Sequence, residues 1–295
     1  VSSGVAVVIV HYRRPDLLRA TLEGLAAQTL RPQCVTVVDN GDGSECAEVV
    51  EEFGVEALSM GSNAGYAAAA NRGIAALPEG LEAVLIMSHE CLLAPDALDR
   101  MTTTLRSEAS IGAVGPLLGR LDARDEVWSA GGSTGRRTAR PFHLLTGMSV
   151  AAAQRTGVVD VGWLDGACLL VRPEAAASVA PMGEWWFLYV EELDWLTRMR
   201  DAGWRVVCDR RAMAWQDPGM TPPYLEARNL TRWFLRRRAM LPLLMLVLDQ
   251  ARASVRALLT GSAWEARARA LGGWHAVTGR LDLGYALRRR SAASR

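Results

Sequence analysis

Three short stretches bring together side chains able to do chemistry. In YVEELDW (189–195), Glu191, Glu192 and Asp194 fall within one helical turn. Carboxylates that close repel one another, which raises at least one pKa toward the range of a general base. An acidic first turn is also the ordinary response to a helix dipole. MSHECLL (87–93) ends an apolar run with Ser88, His89 and Glu90. Polar groups at the end of an interior strand are costly unless paired, and in open α/β sheets ligands bind at that end. DNGDGS (39–44) places Asp39 where it can accept a base N–H or ribose hydroxyls, or cap the next helix.

A fourth stretch, GSNAGYAAAANRG (61–73), has the small residues that let a backbone approach a phosphate. Asn71 and Arg72 on its helix face a diphosphate or simply solvent. It is not GxGxxG and lacks the Walker lysine, so a nicotinamide oxidoreductase and a P-loop are both disfavoured. In MAWQDPG (213–219), Trp215 and Gln216 follow a strand, and a single Trp is most often core.

These groups need elements to hold them. VAVVIV (5–10), CVTVVD (34–39), VEALSM (55–60) and AVLIM (83–87) read as strands. RPDLLRATLEGLAAQ (14–28), GSECAEVVEEFG (43–54) and AGYAAAANRGIAAL (64–77) read as helices. In the first, Leu17, Leu18, Leu22 and Leu25 share a face and Pro15 sits in the first turn; Gly54 closes the second. Repeated β-α-β units imply a parallel sheet with helices on both faces. From about residue 110, GAVGPLLG, EVWSAGG and GACLLVR (166–172) read as strands around glycine-rich turns. VEELDWLTRMRDAGW (190–204) is an amphipathic helix and RVVCD (205–209) a last strand. After Pro222-Pro223 the chain is helical and basic.

Half of the 295 residues are apolar and 22% are charged, as in a globular protein with a large core. The five cysteines are odd in number and form no C-x-x-C pair. That argues for reduced thiols in a cytoplasmic setting, and against a disulfide framework or a zinc site. No signal peptide is visible, and the longest late apolar run, Met240 to Leu248, has nine residues. Crossing a bilayer takes about 20. All 33 basic residues are arginine, and 14 of them lie in residues 228–295 against three acids. Such a tail suits an anionic partner, or forms a solvated basic bundle packed on an acidic domain. LTRWFLRRRAMLPLLMLVLDQ reads as an interfacial helix on anionic lipid, or as a helix buried at a homodimer contact. A nucleic-acid partner is not expected.

Taken in order, VVIVHYRRPDLL, VTVVDNGDGS, SNAGYAAAANRGI, VWSAGG, LDGACLLVR, WFLYVEELDWLTRMRDAGWRVV and YLEARN resemble the family 2 glycosyltransferases. The likeness is to the branch that includes bacterial rhamnosyl- and galactofuranosyltransferases, and it runs from residue 5 to about 230. It implies a GT-A fold: a mixed, mostly parallel central sheet flanked by helices. A nucleotide-sugar-binding half (1–110) and an acceptor-binding half (111–222) would share that sheet, followed by a helical extension (223–295). It implies inverting transfer from a dTDP- or UDP-linked sugar, possible deoxysugars such as rhamnose included. The acceptor is a hydroxyl of a glycan, a lipid-linked sugar or a small metabolite.

Carried over by position, Tyr12, Arg13, Asp39 and Asn63 through Asn71, Gly65 among them, would line the nucleoside. Ser88-His89-Glu90 takes the place of the family's Asp-x-Asp. Glu191-Glu192 stands where the family has Glu-Asp, whose second member is the usual base. Gln216 stands where a His commonly completes a metal site. Glu192 is therefore expected to take the acceptor proton. Mg²⁺ or Mn²⁺ on Glu90 and Gln216, or arginines such as Arg72 and Arg228, would meet the charge of the leaving diphosphate. Trp163, Asp165 and Trp186 are expected acceptor contacts, with core packing the other reading for either Trp. An amide oxygen is a much weaker ligand than imidazole, so the metal is expected to be weak or dispensable, with protonated His89 supplying charge in its place. The alternative is a catalytically silent relative that binds a nucleotide-sugar or a partner enzyme, which donor hydrolysis separates.

Overall fold

The computed structural model describes residues 4–135, 140–217, 219 and 221–287. They divide into two compact units: Val1–Ser133, Phe142–Phe187 and Glu191–Pro218 form one, and Thr134–Pro141, Leu188–Val190 and Gly219–Arg295 the other.

Along the chain come β1 (Val5–His11), α1 (Pro15–Ala26), β2 (Cys34–Asp39), α2 (Ala47–Phe53), β3 (Glu56–Ser59) and α3 (Tyr66–Ala75). Then follow β4 (Ala83–Ser88), β5 (Cys91–Leu93), α4 (Ala97–Ser107), β6 (Ile111–Arg120), β7 (Val127–Ser129), β8 (Gly132–Thr134) and β9 (Pro141–His143). After α5 (Val150–Gln154) come β10 (Val158–Asp160), β11 (Cys168–Val171), α6 (Pro173–Ala177), a 3-10 turn (Glu184–Trp186), α7 (Glu191–Asp201) and β12 (Arg205–Gln216).

The main sheet runs β10-β12-β6-β11-β4-β1-β2-β3, with β5 added to β12 and β7 to β6. β1 pairs in parallel with β2 and β4, β2 with β3, and β12 with β6, while β11 lies antiparallel between β4 and β6. The sheet is thus mixed and mostly parallel, flanked by helices. β1 is buried at every residue, which is why its sequence is a continuous apolar run and not an alternating one. Val5, Val7 and Ile9 join Leu18, Leu22 and Leu25 of α1 and Leu98 and Met101 of α4 in one core. On the opposite face α3 packs through Ala67, Ala70 and Gly73, where a Cβ at Gly73 would collide with Val8 and Val38. The small residues that would let a backbone approach a phosphate thus also set the distance between helix and sheet.

Two expected elements change length. The second helix is shorter than residues 43–54 and begins at Ala47, with Gly54 closing it at φ 62°. The last strand does not stop at 209 but continues to Gln216 through an irregularity between Asp209 and Met213. Asp209, buried there, accepts from Thr104 Oγ1 at 2.6 Å and from Arg211 Nε at 2.9 Å. A satisfied carboxylate lets the strand carry charge through the interior.

The second unit is helical: α8 (Pro223–Arg236), α9 (Met240–Leu259), α10 (Ala263–Thr278) and α11 (Leu283–Ala286). α10 approaches α8 at Gly272, where a Cβ would collide with the Tyr224 carbonyl. Its acids bind it together, Glu226 accepting from Arg140 at 2.8 Å and from Arg269 at 3.1 Å. On α9, Met240, Leu241, Leu244, Val247, Leu248, Val255, Leu258 and Leu259 are exposed. No described helix is long and apolar enough to cross a membrane.

Candidate functional site

The β1–β2 register sets His11 opposite Asp39, and the β1–β4 register sets Val10 opposite Ser88. Three strand ends therefore deliver the candidate residues to one edge of the sheet. His11 and Asp39 are buried. The Arg14 N–H donates to His11 Nε2 at 3.3 Å, so the ring proton resides on Nδ1, which donates to Asp39 Oδ1 at 3.3 Å. The Gly41 N–H reaches the same oxygen at 3.1 Å. Asp39 Oδ2 is buried and has no hydrogen-bond partner among the described residues.

Beside it, Asn40 Nδ2 donates to Asn63 Oδ1 at 3.2 Å, and the Ala64 N–H to Asn40 Oδ1 at 2.9 Å. The Gly65 N–H closes on Asn63 Oδ1 at 3.0 Å. Gly65 has φ 92°, and a Cβ there would collide with the Phe187 backbone, so no other residue fits. Tyr12 is half-buried, and exposed Arg13, at φ 58°, holds its guanidinium 4.9 Å from the Tyr12 ring centroid.

Past β4, Ser88 Oγ is buried without a partner among the described residues. His89 Nδ1 donates to the Val10 carbonyl at 3.1 Å, and its ring stands edge-on to His11 at 5.1 Å. Burial, with His11 beside it, pushes the His89 pKa down to about 4. His89 is therefore neutral near pH 7, which corrects the expectation that it supplies positive charge.

Gln216 pairs with Cys91, one residue from half-buried Glu90, and exposed Asp217 follows Gln216 directly. The Arg14 guanidinium, bonded first to Asp16, also feels the charges of Glu90 and Asp217. Asp217 is thus a second carboxylate at this edge, passed over beside Gln216 in MAWQDPG. Glu90, Asp217 and the Gln216 amide offer the oxygen donors that Mg²⁺ and Mn²⁺ take. A different group, His11, Asp39 and Cys46, has ligand atoms within 4.8 Å of one another. It suits a hard cation poorly: Nδ1 bears a proton, and burial with neighbouring Asp39 pushes the Cys46 thiol up to about 11.

At α7, Glu191 and Asp194 are buried and Glu192 half-buried. Asp194 accepts from Arg198 Nε at 3.1 Å, one helical turn on, and this ion pair takes it out of the expected carboxylate cluster. Its place is taken by Asp165. Burial first, then Glu191 and Asp165, raise the Glu192 carboxyl well above the ordinary range. Tyr66 Oη donates to the Gly166 carbonyl at 2.5 Å, and a Cβ at Gly166 would lie 3.7 Å from Glu192 Cβ. Tyr66, Asp165, Gly166 and Glu192 thus adjoin. Ahead of α7, Phe187, Tyr189 and Val190 take φ of 69°, 66° and 79°. Such conformations cost on the order of 1–3 kcal/mol each outside glycine.

Asp165 Oδ1 accepts from the Ala167 N–H at 3.0 Å and Oδ2 from Trp128 Nε1 at 3.4 Å. His143, with no sequence signal of its own, stands between Trp128 at 4.9 Å and Trp163 at 4.8 Å, its Nδ1 4.0 Å from Asp165. Trp163 and Trp186 are buried, the first against Gly132, so packing accounts for both in place of an acceptor contact. Asn71 spends its amide hydrogens on the Met182 carbonyl at 2.9 Å and Glu184 at 3.1 Å, not on a diphosphate. Arg228 is buried inside the helical unit, where Nε donates to the Arg280 carbonyl at 2.7 Å. Of the two expected phosphate arginines, Arg72 is the exposed one.

Comparisons with known proteins agree with this architecture. The family model described as glycosyltransferase like family 2 matches residues 3–235. The N-acetylglucosaminyl-diphospho-decaprenol L-rhamnosyltransferase of Mycobacterium tuberculosis is 30% identical over 219 residues, covering 67% of this chain and 71% of that protein. Among solved structures, GalNAc-T7 with UDP, GalNAc and Mn²⁺ aligns with a TM-score of 0.60 at 11% identity, over 74% of this chain. The chain spans only 43% of that protein. The mannosyltransferase PcManGT from Pyrobaculum calidifontis, in complex with GDP-Man and Mn²⁺, aligns with a TM-score of 0.56 at 15% identity, covering 96% of this chain and 77% of that one. The structural likenesses establish the GT-A fold, and with the family match across most of its length the chain belongs to glycosyltransferase family 2 and is a glycosyltransferase.

Proposed function

We propose that the protein moves a sugar from a UDP- or dTDP-linked donor to an acceptor hydroxyl in one inverting displacement, with Glu192 as the base. The observation that carries this reading is the raised carboxyl of Glu192, held beside Glu191 and Asp165. A carboxylate whose pKa is raised takes a proton from a hydroxyl more readily than an ordinary one. The acceptor oxygen, losing its proton to Glu192, attacks the anomeric carbon from the face opposite the diphosphate. Asp165 contacts the acceptor, and Asp39, whose Oδ2 has no hydrogen bond among the described residues, faces the base of the donor. The Asn40–Asn63–Gly65 network fixes the loop beside the nucleoside. Glu90, Asp217 and Gln216 would hold Mg²⁺ or Mn²⁺, which when bound neutralises the charge that develops on the leaving diphosphate. Arg13 and Arg72 add positive charge.

The relative named above is a rhamnosyltransferase whose acceptor carries diphospho-decaprenol. That likeness supports a deoxysugar donor and a polyprenyl-linked acceptor here. The exposed apolar face of α9, with Arg252 and Arg256 on the same helix, supports docking on an anionic bilayer that presents such a lipid. The test is release of UDP or dTDP from nucleotide-sugars, with and without a polyprenyl-diphosphate sugar. Acceptor-stimulated release with an inverted product linkage supports the reading. Donor binding without turnover on any acceptor favours the silent relative.

A further inference from the structure

The two oxygens of Asp39 are unequal. Oδ1 accepts from His11 Nδ1 and from the Gly41 N–H, while Oδ2, equally buried, has no geometric hydrogen bond among the described residues, the buried Cys46 thiol being its carboxylate's other neighbour. The Arg14 N–H on His11 Nε2 leaves the ring one role toward Asp39, that of donor. His11 cannot drift from this role, because it is wholly buried and in register with Asp39 across β1 and β2.

We propose that His11 is a positioning residue that fills one oxygen of Asp39, so that the donor base is read by Oδ2 alone and must present a single ring N–H. Uracil and thymine do so at N3. Guanine presents N1–H and N2–H₂ side by side, a pair that needs both oxygens of a carboxylate, and here Oδ1 is already taken by His11 and Gly41. Cytosine N3 and adenine N1 are acceptors where uracil has N3–H and so oppose a carboxylate oxygen, leaving only the neighbouring exocyclic amine to donate. This inference rests on the reading that Asp39 faces the donor base, and adds that His11 sets which base is accepted.

The lock makes a sharper statement about Asp39→Asn. His11 and Gly41 both demand an acceptor at the Oδ1 position, so the amide must turn its oxygen there. Its NH₂ then occupies the Oδ2 position, and a donor replaces an acceptor. That surface is complementary to cytosine N3 and opposed to the uracil N3–H.

The experiment is calorimetric binding of UDP, dTDP, CDP and GDP in Mg²⁺ buffer to the wild type, Asp39→Asn and His11→Asn. The wild type should bind UDP and dTDP about 5- to 150-fold more tightly than CDP or GDP, the range for one buried hydrogen bond. Asp39→Asn should reverse the order of CDP and UDP. His11→Asn, which keeps an N–H donor, should retain the wild-type order. Equal binding of GDP and UDP by the wild type overturns the proposal, and needs no variant to fold. Uniform weakening of all four by Asp39→Asn also overturns the lock, yet leaves Asp39 facing the base. No change on Asp39→Asn removes Asp39 from the nucleoside and takes the underlying reading with it.

Discussion

Lowering the pH should destabilise the protein through His89 by an amount the structure permits one to work out. The ring is buried and its pKa falls from the ordinary 6.5 to about 4. Because the folded state then binds fewer protons than the unfolded chain below pH 6.5, stability is lost as the pH falls from that value toward 4. For a single site with these two constants, the loss between pH 7.5 and pH 5.0 is about 2 kcal/mol, and it levels off at about 3 kcal/mol below pH 4. Other groups titrate over the same range, so the informative quantity is a difference between proteins. Urea unfolding of the wild type and His89→Asn at both pH values isolates it, since an amide keeps an N–H for the Val10 carbonyl but does not titrate. The wild type should lose about 2 kcal/mol more than the variant. Parallel slopes for the two proteins would show that His89 is not held neutral, and the case against its carrying the diphosphate charge would fail with it.

Three further outcomes follow from the same geometry. Gly65→Ala meets both a positive φ and the Phe187 backbone, and should lower stability by about 2 kcal/mol or more by thermal unfolding while weakening nucleotide binding. With His89 neutral, the diphosphate depends on metal more than the residue types alone suggest. EDTA should cut initial rates by more than about tenfold, a barrier change above roughly 1.4 kcal/mol, and Glu90→Gln or Asp217→Asn should raise the Mn²⁺ needed to restore them. Full activity in EDTA would contradict this. Leu244→Asp with Val255→Asp should abolish flotation on anionic vesicles at low salt without changing turnover of a soluble acceptor; a wild type that never floats removes the membrane reading.

What the sequence discloses and what it withholds divide along the range of the interactions. β1 and β4 were legible because strands buried on both faces run apolar almost without interruption, and β2 because only Thr36 breaks its run. Their polar ends then gather at one edge of the sheet, the edge proposed to hold the donor. The continuation of β12 was hidden because Asp209-Arg210-Arg211 looks like a strand end until Thr104, from a distant helix, satisfies the aspartate. The carboxylates of α7 were visible, but which of them act together was not. Spacing along a helix brings Asp194 close, while folding pairs it with Arg198 and brings Asp165 to Glu192 from another part of the chain. His89 shows the same limit: its type suggested a cation, and its burial makes it neutral.

The central claim is that Glu192 takes the proton from the acceptor. Its most direct test is turnover of Glu192→Gln beside Glu191→Gln and Asp194→Asn, each with UDP and dTDP affinity measured on the same preparation. Glu192→Gln should lose about 10²- to 10⁴-fold in kcat with nucleotide affinity unchanged, and Asp194→Asn should keep most of its activity. A fully active Glu192→Gln, with the loss falling instead on Glu191→Gln or Asp194→Asn, would contradict it.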